Sequence, residues 1–120
     1  MTVAAVVVIA LGGALGSCLR YLIERGITER QRGVLPWGLF AVNVLGSALA
    51  GAALAGTSGL VRTFVVVGLC GALTTYSGFG AAVRALWSRD RTAAWVTIVG
   101  MTGVCLMAAT LAHALVSRAS

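Results

Sequence analysis

Four long apolar stretches, joined by short polar connectors, take up nearly the whole chain. They run from about Val3 to Leu22, Leu35 to Ala55, Arg62 to Leu86 and Ala93 to Val116. Each reaches the roughly 20 apolar residues that an α-helix needs to cross a hydrocarbon core. The pattern predicts an all-α membrane protein of four transmembrane helices, a single domain over 1–120 with helices near 3–22, 35–55, 62–86 and 93–116. Gly33-Val34-Leu35-Pro36-Trp37 and Gly56-Thr57-Ser58-Gly59 are turn-rich connectors, and Pro36 suits a helix start. The first stretch lacks a basic segment after Met1-Thr2 and is followed by three more, so it reads as a mature helix rather than a signal peptide.

The third stretch departs from the others. Gly71-Ala72-Leu73-Thr74-Thr75-Tyr76-Ser77-Gly78-Phe79-Gly80 sets three glycines and three aliphatic hydroxyls at the centre of a span whose flanks are valine, leucine and alanine. Non-helical backbone at membrane depth survives only inside protein or along a wet cavity. Broken membrane helices present freed amides, carbonyls and hydroxyls to ions or small solutes. The third helix is therefore expected to break here and to serve a solute pathway.

Composition agrees with a membrane chain and redirects the reading of its charge. Of 120 residues, 59% are hydrophobic and 10% charged, against the 45–50% or so that is apolar in an ordinary soluble domain. An isoelectric point near 10.7 would raise nucleic acid as a partner in a soluble protein. Here all nine basic residues are arginines near membrane boundaries, so membrane lipid, not nucleic acid, is the expected contact. Arg20, Arg25, Arg30, Arg32, Arg84, Arg89 and Arg91 fall on one side, and Arg62 and Arg118 on the other. Short arginine-rich loops stay cytoplasmic, which predicts a multi-pass plasma (inner) membrane protein with both termini outside.

Candidate chemistry inside the spans is sparse. Asn43 lies within the second helix, where an amide either glues helices together or offers uncharged donors to a passing anion. Tyr76 and Phe79, three residues apart, share a face if helix resumes after the break. On spacing alone core packing explains them more simply, although ring edges also offer an anion partial positive charge. Ser77 adds a hydroxyl beside them. Gly12, Gly13, Gly16 and Ser17, with Gly46, Ser47 and Gly51, form small helix faces suited to close packing. Cys18, Cys70 and Cys105 lie one per stretch, without metal-site spacing, and read as small buried hydrophobes. No carboxylate lies in an apolar interior, which argues against a proton-coupled exporter. Nothing assembles a nucleophile, base and orienting group, so an enzyme is not expected.

Taken in order, Gly12-Gly13-Ala14-Leu15-Gly16-Ser17-Cys18-Leu19-Arg20-Tyr21, Trp37 to Ser47 with Asn43 inside it, and Gly68 to Phe79 closely resemble the CrcB/Fluc fluoride channel family. The resemblance covers essentially the whole chain and is weakest in the fourth helix. It implies an antiparallel, dual-topology-type dimer with narrow fluoride pores, a fluoride-selective ion channel that lowers cytoplasmic fluoride by passive efflux. It implies a structural sodium ion (Na+) at the dimer interface, held by backbone carbonyls at Gly71 and Thr74. It assigns Arg20 to an aqueous vestibule and Asn43, Tyr76, Ser77 and Phe79 to the fluoride pore.

Three positions depart from that family. Tyr76 stands where phenylalanine is usual, Gly78 where threonine is, and Leu39 in place of the threonine of a Gly-Thr-Leu motif. Thr97, Thr102 and Thr110 do not align with the polar track of the last helix. The lopsided arginines predict one-way insertion, so the antiparallel mate is expected to be a paralogous subunit rather than a second copy. Two other readings stand beside this one. The chain resembles small multidrug-resistance exporters in size and helix number but lacks their membrane carboxylate, and a non-conducting structural subunit of a heterodimeric channel would explain the altered positions.

Overall fold

The computed structural model describes residues 2–119. Among these, α1 covers Val3–Arg30, α2 Trp37–Gly56 and α3 Gly59–Arg62. A π-helical stretch, Thr63–Cys70, follows, then the single turn α4 (Gly71–Leu73), α5 (Tyr76–Arg89) and α6 (Arg91–Ala119). Four helical segments are long and apolar enough to cross a membrane: Val3–Arg30, Trp37–Gly56, Gly59–Arg89 and Arg91–Ala119. The protein is thus a multi-pass, all-α membrane protein.

The helices overrun the apolar stretches that predict them. The first does not stop near Leu22 but continues to Arg30, because Glu24, Arg25, Glu29 and Arg30 are good helix formers. Arg25 Nε donates to Glu29 Oε1 at 2.9 Å, one turn on. At ~1.5 Å per residue α1 is about 42 Å long and extends past a hydrocarbon core of about 30 Å. Pro36 sits at the N-cap of α2, one residue before the helix begins. At the other end of α2, Arg62 donates to Leu54 O at 3.0 Å and to Thr57 O at 2.6 Å. Those carbonyls would otherwise end the helix unpaired.

Packing follows small residues, since apolar surface alone gives helices no reason to associate in lipid. A Cβ at Gly12 would stand 2.6 Å from Phe64 O, so α1 lies backbone to backbone on the π-helical stretch. Gly16 admits Leu69 O in the same way, and Gly51 of α2 admits Ala109 O of α6. The small faces of α1 and α2 therefore receive the third and fourth spans. Within the apolar window of each span, 39% of α2 is buried against 11% of α1, which makes α2 the inner helix. Leu39, Val42, Leu73 and Met101 form the core, with Phe79 packed on it. Cys70 is buried as expected, but Cys18 is exposed on α1 and Cys105 half-buried.

Candidate functional site

The third span does break, over two residues rather than ten. Thr74 (φ −81°, ψ 154°) and Thr75 (φ −146°, ψ 116°) are extended, while Gly71, Gly78 and Gly80 all lie in helix. The interruption stands at the middle of the 31-residue span Gly59–Arg89. β-Branched threonine is at ease in extended backbone, and its hydroxyl can replace the helical bonds that the break removes.

Each threonine serves one side of the break. Thr74 stays tied to the preceding helix, its N–H and Oγ1 both donating to Cys70 O, at 3.0 and 2.8 Å. Its methyl group packs where a Cβ at Gly46 would otherwise lie. Thr75 caps the next helix, its Oγ1 accepting from Gly78 N at 3.0 Å. Between them Asn43 of α2, only 8% exposed, clamps the backbone at two points. Its Oδ1 accepts from Thr75 N at 2.8 Å and its Nδ2 donates to Thr75 O at 3.4 Å. Nδ2 also lies 3.1 Å from Met101 Sδ. Unpaired backbone groups in hydrocarbon cost several kcal/mol each. Asn43 is thus the residue that makes a mid-membrane break tolerable.

Two clefts flank this point. The inner one, about 390 Å³, is lined by Asn43, Ser47, Thr74, Thr75, Tyr76 and Phe79, with Met101, Thr102, Cys105 and Leu106 of α6. The other, about 410 Å³, holds Arg20, Glu24, Thr28, Leu39, Ser77 and Gly78, and again Thr75. Asn43, Thr74, Tyr76 and Phe79 therefore come together, whereas Arg20 and Ser77 belong to the second space. Tyr76 and Phe79 share a face of α5 with ring centroids 6.0 Å apart. Phe79 is half-buried, but Tyr76 is 86% exposed. Gly71 is exposed on the helix before the break. The carbonyls of that last turn have no amide one turn on, because the next two residues are extended. Among the described residues no group of three or more His, Cys, Asp and Glu could hold a metal.

Ser47, Thr75 and Thr102 line the inner cleft without having been singled out for it. Thr102 was inaccessible to sequence reasoning because the inward face of the fourth helix is fixed by its packing on α2. Thr97 is fully buried and bonded to Ala93 O at 2.9 Å, and Thr110 bonds Leu106 O on an exposed face. Neither lines either of these two clefts. For Ser47 a signal did exist: it lies four residues after Asn43, hence on the same helix face.

Fold and site together define a polytopic helical membrane protein with a polar, clamped interruption at the centre of its third span. Known sequences agree. The CrcB-like protein family, also described as Camphor Resistance, matches residues 7–113, and the chain belongs to that family. It is 40% identical to the fluoride-specific ion channel FluC of Paramagnetospirillum magneticum over 114 residues, which is 88% of this chain and 89% of that protein. The FluC protein of Hahella chejuensis is 38% identical over 96% of both chains. That of Rhizobium meliloti is 34% identical over 86% of this chain and 88% of its own.

Proposed function

We propose that this chain is a subunit of a fluoride-selective channel through which fluoride leaves the cytoplasm passively. The observation that carries the reading is the break clamped by Asn43, uncharged and hydroxyl-rich, at the centre of a span in a chain whose relatives are named fluoride-specific ion channels. Uncharged donors hold an anion strongly enough to dehydrate it and weakly enough to release it. No energy source is needed where HF enters as a weak acid and ionises in a more alkaline cytoplasm. Arg20 draws the anion into the vestibule, and Asn43, Ser77 and the ring edges of Tyr76 and Phe79 contact it further in. The relatives are named ion channels, and the reading proposed here is a channel's.

The working unit in this reading is an antiparallel dimer carrying a sodium ion on carbonyls at Gly71 and Thr74. Tyr76 supports a dimer: an 86% exposed phenol at mid-span would face hydrocarbon with its hydroxyl unsatisfied unless a second subunit covered it. The arginines favour a paralogous mate. Seven arginines stand on one side, against Arg62, which also caps α2, and Arg118 on the other. Trp37, Trp87 and Trp95 all fall on the side with seven arginines, and Arg91 lies over the Trp87 ring at 5.0 Å, as in an interfacial aromatic belt; it is the arginine bias that makes this side cytoplasmic. Both termini then face outward across the inner membrane.

A second reading, that this chain completes a partner's pore without conducting, rests on Leu39 and Gly78. A Cβ at Gly78 would lie 3.3 Å from Leu39 Cδ1, so both departures strip hydroxyls from one spot in the Arg20 cleft. Fluoride efflux from liposomes containing this chain, an oppositely biased relative from the same genome, or both, separates the readings. Efflux only with both supports the heterodimer. Efflux from this chain alone removes the need for a paralogue, and none in any arm overturns the proposal.

A further inference from the structure

Thr75 is the single residue common to the two clefts. Its backbone cannot shift without losing Asn43, which holds both its N–H and its C=O. Its side chain is held as well. Oγ1 accepts from Gly78 N at 3.0 Å and lies 3.3 Å from Ser77 Oγ. At Gly78 an added Cβ would stand 2.9 Å from Thr75 Cγ2 and 3.1 Å from Oγ1, so the absence of a side chain there leaves this rotamer its room.

A hydroxyl has one proton and two lone pairs. Because Gly78 N–H already occupies a lone pair of Thr75 Oγ1, the Thr75 proton remains available to donate. Rotation about the Cβ–Oγ bond redirects it away from Ser77 Oγ, and Thr75 lines both clefts. No heavy atom moves, and no charge is left in the low-dielectric centre.

We infer that Thr75 is the partition between the two clefts and that its hydroxyl donates to the anion as it crosses from one to the other. This deepens the conduction reading above and rests on it. Asn43 fixes where the donor stands, and Gly78 both holds its oxygen and leaves its rotamer room.

The test is a set of Thr75 variants of the chain in its conducting assembly, with fluoride efflux from liposomes read per folded dimer and melting temperature read in parallel. Thr75→Ser keeps the hydroxyl and should retain flux within about twofold. Thr75→Val keeps the shape without the donor and should lose flux by about tenfold or more. Val and Ala both lose the cap on Gly78 N–H along with the donor, and Ala loses the shape as well, so the two together calibrate cap against shape. If Val and Ala lower the melting temperature alike while flux per dimer is unchanged, Thr75 only caps a helix and the inference is overturned. Equal flux losses in Ser and Val overturn it too, since a side chain that keeps the hydroxyl would then do no better than one that lacks it. A wild-type assembly without fluoride flux brings down the conduction reading itself, a result distinct from a conducting wild type with a conducting Thr75→Val.

Discussion

The two clefts that meet at Thr75 are nearly equal in volume, about 410 Å³ on the Arg20 side and 390 Å³ on the Asn43 side, yet they are made of different chemistry. The first carries a guanidinium and a carboxylate, Arg20 and Glu24, one turn apart near the end of the span. The second has no charged residue at all: an amide, four aliphatic hydroxyls, a phenol, a thiol, a thioether and a phenyl ring. A charge at the mouth raises local anion concentration at little cost because water still screens it. The same charge at the membrane centre would be expensive and would hold the anion there. In the channel reading proposed above, the difference becomes a division of labour, collection at the mouth and uncharged transfer at the centre, with the two-threonine break as the boundary.

Removing Asn43 should damage this arrangement most. Asn43→Ala leaves Thr75 N–H and C=O without the partner that accepts at 2.8 Å and donates at 3.4 Å. Each buried backbone group left unpaired costs about 1–3 kcal/mol. We expect a clear drop in melting temperature in detergent and loss of fluoride efflux by about tenfold or more. Full flux with unchanged stability would mean that the clamp is dispensable and that the inner cleft does not depend on it.

Next in size is a substitution at the boundary itself. Gly78→Ala brings a methyl group within 2.9 Å of Thr75 Cγ2, a contact that must be relieved by turning the threonine away. Overpacking of this kind costs about 1–3 kcal/mol. Efflux should fall severalfold, less than for Asn43→Ala, because the backbone clamp survives. A change in efflux without any change in melting temperature would point to the partition rather than to packing.

How much of this was legible beforehand depended on whether a signal was local. The four spans could be read from unbroken apolar runs, and a broken third helix from polar residues where a span should be plain. The glycines drew attention to the wrong residues, however. Gly71, Gly78 and Gly80 are helical, and the break falls on Thr74 and Thr75, because an amide from α2 pays for extended backbone that the third span could not sustain alone. That partnership joins positions 32 residues apart and has no local trace. Neither does the π-helical stretch before the break, whose run Val65-Val66-Val67 is as apolar as any α-helical span. Asn43 was marked as a polar residue in a membrane, but its grip on Thr75 became visible only once α2 and the third span were packed. Thr102 was missed for the same reason.

A smaller effect is expected at the mouth. Arg20→Gln removes the guanidinium from the outer cleft while leaving its volume nearly unchanged, so efflux should fall about two- to fivefold at low ionic strength. At about 1 M salt, where the screening length is near 3 Å rather than the ~10 Å of 0.1 M, variant and wild type should converge. Arg20→Lys should stay close to wild type at both. A deficit that persists in high salt would show that Arg20 shapes the cleft instead of collecting anions.

The smallest effect is expected at Tyr76, and it bears on what the uncharged side requires. Its ring lies 6.0 Å from that of Phe79, and either ring can turn a partially positive edge toward an anion, since that property belongs to the ring and not to the phenol. Tyr76→Phe should therefore keep fluoride efflux within about twofold of wild type. Tyr76→Leu, which keeps the apolar bulk and removes the quadrupole, should lose clearly more. If Phe instead falls as far as Leu, the phenol hydroxyl is itself a ligand or a contact to the second subunit, and the inner cleft draws its donors from both chains. Crosslinking yield of the dimer in Tyr76→Phe separates those two cases, because only a lost subunit contact lowers it.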